Sequence, residues 1–135
     1  MMLWHRGDLF HGLWFTTRHI LVAVADGAGC IHAESTIPRR DDARHAFVRT
    51  AAALPGAEII VCANHFDPLV TMAGEYLPIW VVSSGFVDGL KHAAGIPSTR
   101  PRLLAALLAR LPTMGYPWPL TMMSRRLPPS HRLHF

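Results

Sequence analysis

Hydrophobic and polar positions follow two different rhythms along this chain, and the change falls near Pro38. Before it, Ile20-Leu-Val-Ala-Val-Ala25 is a short apolar run, Asp26-Gly27-Ala28-Gly29 breaks it, and Cys30 to Ile37 follows with partial alternation. A strand, a glycine-rich turn and a second strand is the reading this pattern supports. Leu13 to Thr17 is also rich in β-formers, so a meander of three strands is predicted between Gly12 and Pro38. Residues 1–10 read as a loose lead-in whose Trp4 and Phe10 dock on the domain.

After Pro38 helices and strands alternate. Asp41 or Asp42 is expected to cap a helix and to complement its dipole. Its inward positions are Ala43, Ala46, Phe47, Thr50, Ala51 and Leu54, with Arg44, His45 and Arg49 facing water and Pro55-Gly56 as the stop. Ala57 to Ala63 is continuously apolar, as in a strand buried on both faces. Asp67-Pro68 reads as N-cap and first position of a helix running to about Leu77, with Leu69, Val70, Ala73, Tyr76 and Leu77 inward. Ile79 to Val82 is another buried strand. Ser83-Ser84 then caps a helix from Phe86 to Ala94, with Gly95 as its stop. A last helix, Arg102 to Leu111, lines up Leu104, Leu107, Leu108 and Leu111.

From Pro112 onward the prolines at 112, 117, 119, 128 and 129 argue against regular structure. Trp118, Leu120, Met122 and Met123 are nevertheless apolar, so this tail is expected to lie on the domain or on a partner chain. The organisation predicted is a single α/β domain over 1–111 and a Pro/Arg-rich tail over 112–135. Right-handed crossovers put the strand near Ile60 beside the first strand and the one near Val81 outside it. A mixed five-stranded sheet of order 3-2-1-4-5 results, with helices on both faces. That is the ribonuclease H-like arrangement, and a plain doubly wound α/β sheet is the alternative.

Composition narrows the function classes. Half of the 135 residues are hydrophobic and 16% are charged, so the chain has the means to build a core and is not of the disordered class. No apolar run approaches the ~18 residues a membrane span needs. The first residues lack the pattern of a signal peptide, so a cytoplasmic protein without a membrane partner is expected. Cys30 and Cys62 both sit in strand-like surroundings and read as buried, inert thiols. The net charge is +4, and all the basic residues except Lys91 are arginines. Arg125, Arg126 and Arg132 stand in a tail with no acid, the arrangement of a phosphate-contacting arm.

The stretch Gly12-Leu-Trp-Phe-Thr-Thr-Arg-His-Ile-Leu-Val-Ala-Val-Ala-Asp-Gly-Ala-Gly29 resembles the opening of the insertion-sequence transposases that carry a RuvC-like (ribonuclease H-like, DEDD) domain. Ile59 to Gly95 is similar to the continuation of that domain, and Pro97 to Leu108 resembles its last acidic segment and leucine-rich helix. The resemblance implies a ribonuclease H-like fold and two-metal phosphoryl chemistry on clustered carboxylates. This chain departs from it at each acidic position. Trp14 (or Thr16, under a shifted alignment) stands for the first aspartate, Cys62 with Ala63 and Asn64 for the glutamate, and Ser98-Thr99-Arg100 and Leu103 for the last pair. No catalytic residue is carried over, and no cofactor or metal is expected.

Asp26-Gly-Ala-Gly29 lacks the third glycine and the following helix of a dinucleotide loop, so a hairpin turn is the expectation. His11, His19, His32 and His65 converge on a metal only if all four fall at strand ends, and none shows metal-ligand spacing. Asn64, His65 and Asp67 lie at the carboxyl end of a central strand, where open α/β sheets bind ligands, and form the first-choice ligand loop. Ser83 and Ser84 end the next strand and can offer N–H groups to an anion. G-x-S-x-G is absent. The function expected is a non-catalytic module for self-association or a partner protein through the tail, with nucleic acid as a further ligand. A small enzyme using the Asn64-His65-Asp67 loop is the alternative.

Overall fold

The computed structural model describes residues 9–54, 56–62, 68–96 and 100–113, and the backbone of 123–126. Six strands form one sheet: β1 (Leu9–Phe15), β2 (His19–Asp26), β3 (Ile31–Pro38), β4 (Ala57–Cys62), β5 (Ile79–Val82) and β6 (Met123–Arg126). Four α-helices accompany them among the described residues: α1 (Asp41–Ala52), α2 (Pro68–Ala73), α3 (Ser84–Ala94) and α4 (Pro101–Arg110). The first five strands stand in the expected order, β3-β2-β1-β4-β5, and β6 is added beside β5. β1, β2 and β3 pair antiparallel, whereas β4 runs parallel to β1 and β5 parallel to β4. β6 is antiparallel to β5, with Met123 opposite Val82 and Arg126 opposite Ile79. The tail therefore contributes regular structure where its prolines argued against it, because Met123 to Arg126 is a proline-free window long enough to pair. A 3₁₀ turn at Leu111–Thr113 starts that segment.

Strand alternation sorts the core into two layers. Leu13, Ile20, Val22, Ile59, Val61 and Ile79 point to one face and pack against Val48 and Ala51 of α1 and Leu69 and Ala73 of α2. Phe10, Ile60, Cys62, Trp80 and Val82 point to the other, against Val87 of α3 and Leu108 of α4. There Leu21, Ala23 and Ala25 meet Ala105, Ala106 and Ala109 of α4. Gly12 explains why α4 lies so close to the sheet: a Cβ at that position would sit 2.1 Å from the Ala105 carbonyl oxygen and 2.4 Å from the Ala109 nitrogen. Only a residue without a side chain admits the helix backbone there.

Several expectations are corrected. Leu9 and Phe10 belong to β1 and Phe10 is fully buried, so the strand starts before the predicted lead-in ends. Arg40, not Asp41 or Asp42, is the N-cap of α1, and it makes no side-chain capping bond. The two aspartates sit in the first turn instead. The buried stripe of α1 is Val48 and Ala51, while Ala46 and Thr50 are exposed and Arg44 is mostly covered with its Nη1 bonded to Asp41. α2 closes after Ala73 into turns held by Tyr76 N–H and Leu77 N–H to the Ala73 carbonyl. Leu77 stays buried, but Tyr76 is turned out to 62% exposure. α3 is as expected: Ser83 Oγ accepts from Phe86 N–H at 3.3 Å and Gly95 ends the helix at φ 68°. Cys30 is exposed rather than buried, since it lies in the β2–β3 turn; Cys62 is buried, and neither is in a disulfide. No helix among the described residues is long and apolar enough to cross a membrane.

Candidate functional site

The carboxyl ends of β1, β4 and β5 share one edge of the sheet. Asn64, His65 and Asp67 follow β4 but lie outside the described residues, as does Arg132. Ser83 and Ser84 follow β5; Ser83 spends its hydroxyl and carbonyl on Phe86 N–H and Val87 N–H, which is helix capping. Arg125 and Arg126 lie in β6, opposite Trp80 and Ile79, so they belong to a sheet edge and not to a free arm.

One step inside that edge, Trp14 of β1 and Cys62 of β4 occupy adjacent strands, since Leu13 is in register with Val61. Both join the cluster under α3 and α4, with Cys62 buried beside Trp80, Val82 and Leu108 and Trp14 packed against it. Leu103 is an exposed residue in the first turn of α4. The buried carboxylate on this face is Glu58, further down β4, and it accepts a hydrogen bond from Trp80 Nε1–H at 3.0 Å. That bond satisfies the indole inside an otherwise apolar layer.

Arginines gather at the same edge. Arg39 Nη1 donates to the Thr16 carbonyl at 2.7 Å and its guanidinium lies 5.9 Å from the Phe15 ring centroid, which fixes the chain where β3 leaves the sheet. Arg18 in the β1–β2 turn is exposed, and Arg40 approaches Asp42 at 3.6 Å. α4 begins nearby, because its other end is tied to the opposite side of the sheet: Arg110 Nε donates to the Gly29 carbonyl at 3.1 Å. Its N-terminus carries exposed Arg100 and Arg102 and no acid in its first turn. Cations at the positive end of a helix dipole are unfavourable unless an anion joins them.

Among the described residues the candidate histidines do not converge. His11 is 2% exposed on the α1/α2 face, edge-on to Phe47 with ring centroids 5.6 Å apart, and its Nδ1 has no hydrogen-bond partner among the described residues. Burial lowers its pKa from 6.5, and the Glu58 carbonyl acts in the opposite sense. His19 is exposed at the start of β2. His32 Nε2–H donates to Asp26 Oδ2 at 2.6 Å in the β2–β3 turn, where Asp26 Oδ1 also accepts from Ala28 and Cys30 N–H. The His32 bond and then the Cys30 N–H hold the Asp26 carboxyl below its usual pKa. This is turn chemistry, with Gly29 at φ 84° closing the hairpin. Among the described residues no three His, Cys, Asp or Glu side chains gather as a metal site would require.

A concave feature on the other face has no counterpart in the sequence pattern. A groove of about 600 Å³ runs between α1 and α2, floored by Val48, Ala52 and Met72 and rimmed by His45, Arg49 and Tyr76. His45 is held by its Nδ1–H to the Asp41 carbonyl at 2.7 Å. The signal that could have found the groove is the shortness of α2: a proline start and Gly74 leave it too brief to cover α1. No family model matches the chain, and no curated protein is significantly similar to it.

Proposed function

We propose that this chain is a non-catalytic domain of ribonuclease H-like type, related to the RuvC-like domain of insertion-sequence transposases, and that it works by association rather than by cutting nucleic acid. One observation carries the reading. Trp14 and Cys62, which stand where the resemblance would put the first two carboxylates, share one face of neighbouring strands and are packed into an apolar layer. Two-metal chemistry needs oxygen ligands and water at that point. A buried thiol and an indole offer neither. The test is incubation of the full chain with Mg²⁺ or Mn²⁺ and branched, single-stranded and duplex DNA. No metal-dependent cleavage is expected; cleavage lost on replacing Asp26 would overturn the reading.

A second reading is favoured by the arginines: phosphate contacts along the edge formed by Arg18, Arg40, Arg100 and Arg102. Four exposed cations beside a helix start without an acid suit a phosphate backbone. In that case binding to DNA or RNA falls steeply with added salt, and changing Arg100 and Arg102 to Gln lessens the salt dependence by about two ions.

A further inference from the structure

We propose that the α1/α2 face is a two-fold interface between two copies of this chain. This rests on the reading of the chain as an association module and names the surface and the partner. The groove and an exposed aromatic lie side by side on that face: Val48, Ala52 and Met72 form the floor, and Tyr76 projects from the rim at 62% exposure. A hole next to a knob on one surface is self-complementary, because a two-fold axis brings each knob to the other copy's hole.

The charges agree with this occupant. Arg49 lines the groove from the last turn of α1, and the groove lining includes no acid. Glu75, the neighbour of Tyr76, is exposed. The proposed two-fold pairing places Arg49 of each copy against Glu75 of the other, with each Tyr76 ring in the other copy's groove. A partner with a basic binding segment would meet Arg49 with repulsion. α1 is about 18 Å long at 1.5 Å per residue, so the area is small and the dimer is of the weak class, with a Kd on the order of micromolar or above.

Sedimentation velocity on the full chain over roughly 1 to 300 μM reads this directly. A concentration-dependent monomer–dimer equilibrium is expected, and Tyr76→Glu should weaken it at least tenfold. Arg49→Glu and Glu75→Arg should each weaken it as well, and the two together should restore it. All of these positions are exposed, and circular dichroism confirms that each variant is folded. A chain that stays monomeric across the range overturns both the interface and self-association. A dimer indifferent to the Tyr76 and charge variants overturns this surface alone, and self-association elsewhere stands. Failure of the paired swap to restore the dimer overturns the Arg49–Glu75 contact. A monomer whose groove takes up decanoate in a manner lost on Arg49→Glu assigns the groove to small amphipathic anions and overturns the dimer.

Discussion

The two faces of the sheet are built on opposite principles. Under α4 the backbone of a helix rests on a glycine, and small residues, Ala105, Ala106 and Ala109, meet Ala23 and Ala25 with no room to adjust. Under α1 and α2 the residues are larger and the fit is looser: the Nδ1 of buried His11 has no hydrogen-bond partner among the described residues, Tyr76 stands out in solvent and a groove remains between the helices. Close packing of small residues makes a face that only supports the fold. The looser face keeps surface in reserve for something else. The contrast separates the part of the domain that determines the structure from the part available for function.

A single added methyl on the tight face should break the contrast most severely. Gly12→Ala puts a Cβ within 2.1 Å of helix backbone, which no rotamer change relieves. α4 must shift, and a loss of about 3 kcal/mol or more is expected, at or beyond the top of the overpacking range. Urea denaturation measures it. An unchanged midpoint would mean that α4 does not sit on β1 as described.

On the looser face the largest effect should come from pH. The folded pKa of His11 is lowered, so below the unfolded value of 6.5 the unfolded chain binds a proton that the folded chain resists. Stability from this group is complete above that value and declines as pH falls beneath it, by up to about 1.4 kcal/mol per unit until the folded pKa is reached. In His11→Phe, which keeps a ring against Phe47, the slope of stability between pH 6.5 and 5 should flatten relative to the parent. Thermal melts across that interval read the difference.

Gly74→Ala is the smallest and the sharpest comparison with Gly12→Ala. The same methyl would meet the end of the Ile79 side chain at 3.2 Å and the Val70 carbonyl at 3.3 Å, contacts that yield by a few tenths of an ångström. A change within about 1 kcal/mol is expected, of either sign. A loss as large as that at Gly12 would show that the α1/α2 face is as rigid as the other.

Much of the fold was legible because β2, β4 and β5 are apolar runs of strand length bounded by glycine or proline. Continuous apolarity in β4 and β5 announced burial on both faces, which in turn required helices on both. The order of five strands follows from the meander, which sets the first three, and from crossover handedness, which adds the other two. Tyr76 was misread because the helical period was carried past Ala73, where the helix has already closed into turns and the phase of the side chains changes. β6 was missed because prolines on either side dominate the composition of a window in which four residues suffice to pair. Gly12 did carry a signal, an isolated glycine in a strand, but its partners Ala105 and Ala109 lie too far along the chain for any local pattern to join them. The groove depends on how two helices meet, and no periodicity within either one encodes that.

The position of β6 gives the domain a history as well as a shape. β5 is complete at Val82, yet the strand that covers its outer edge begins at Met123. During synthesis, on the order of seconds pass between the two. Throughout that interval a short strand of Ile79, Trp80, Val81 and Val82 presents unpaired backbone groups, open to any other extended chain. The last strand of the sheet thus sets the time at which the nascent protein stops being adhesive.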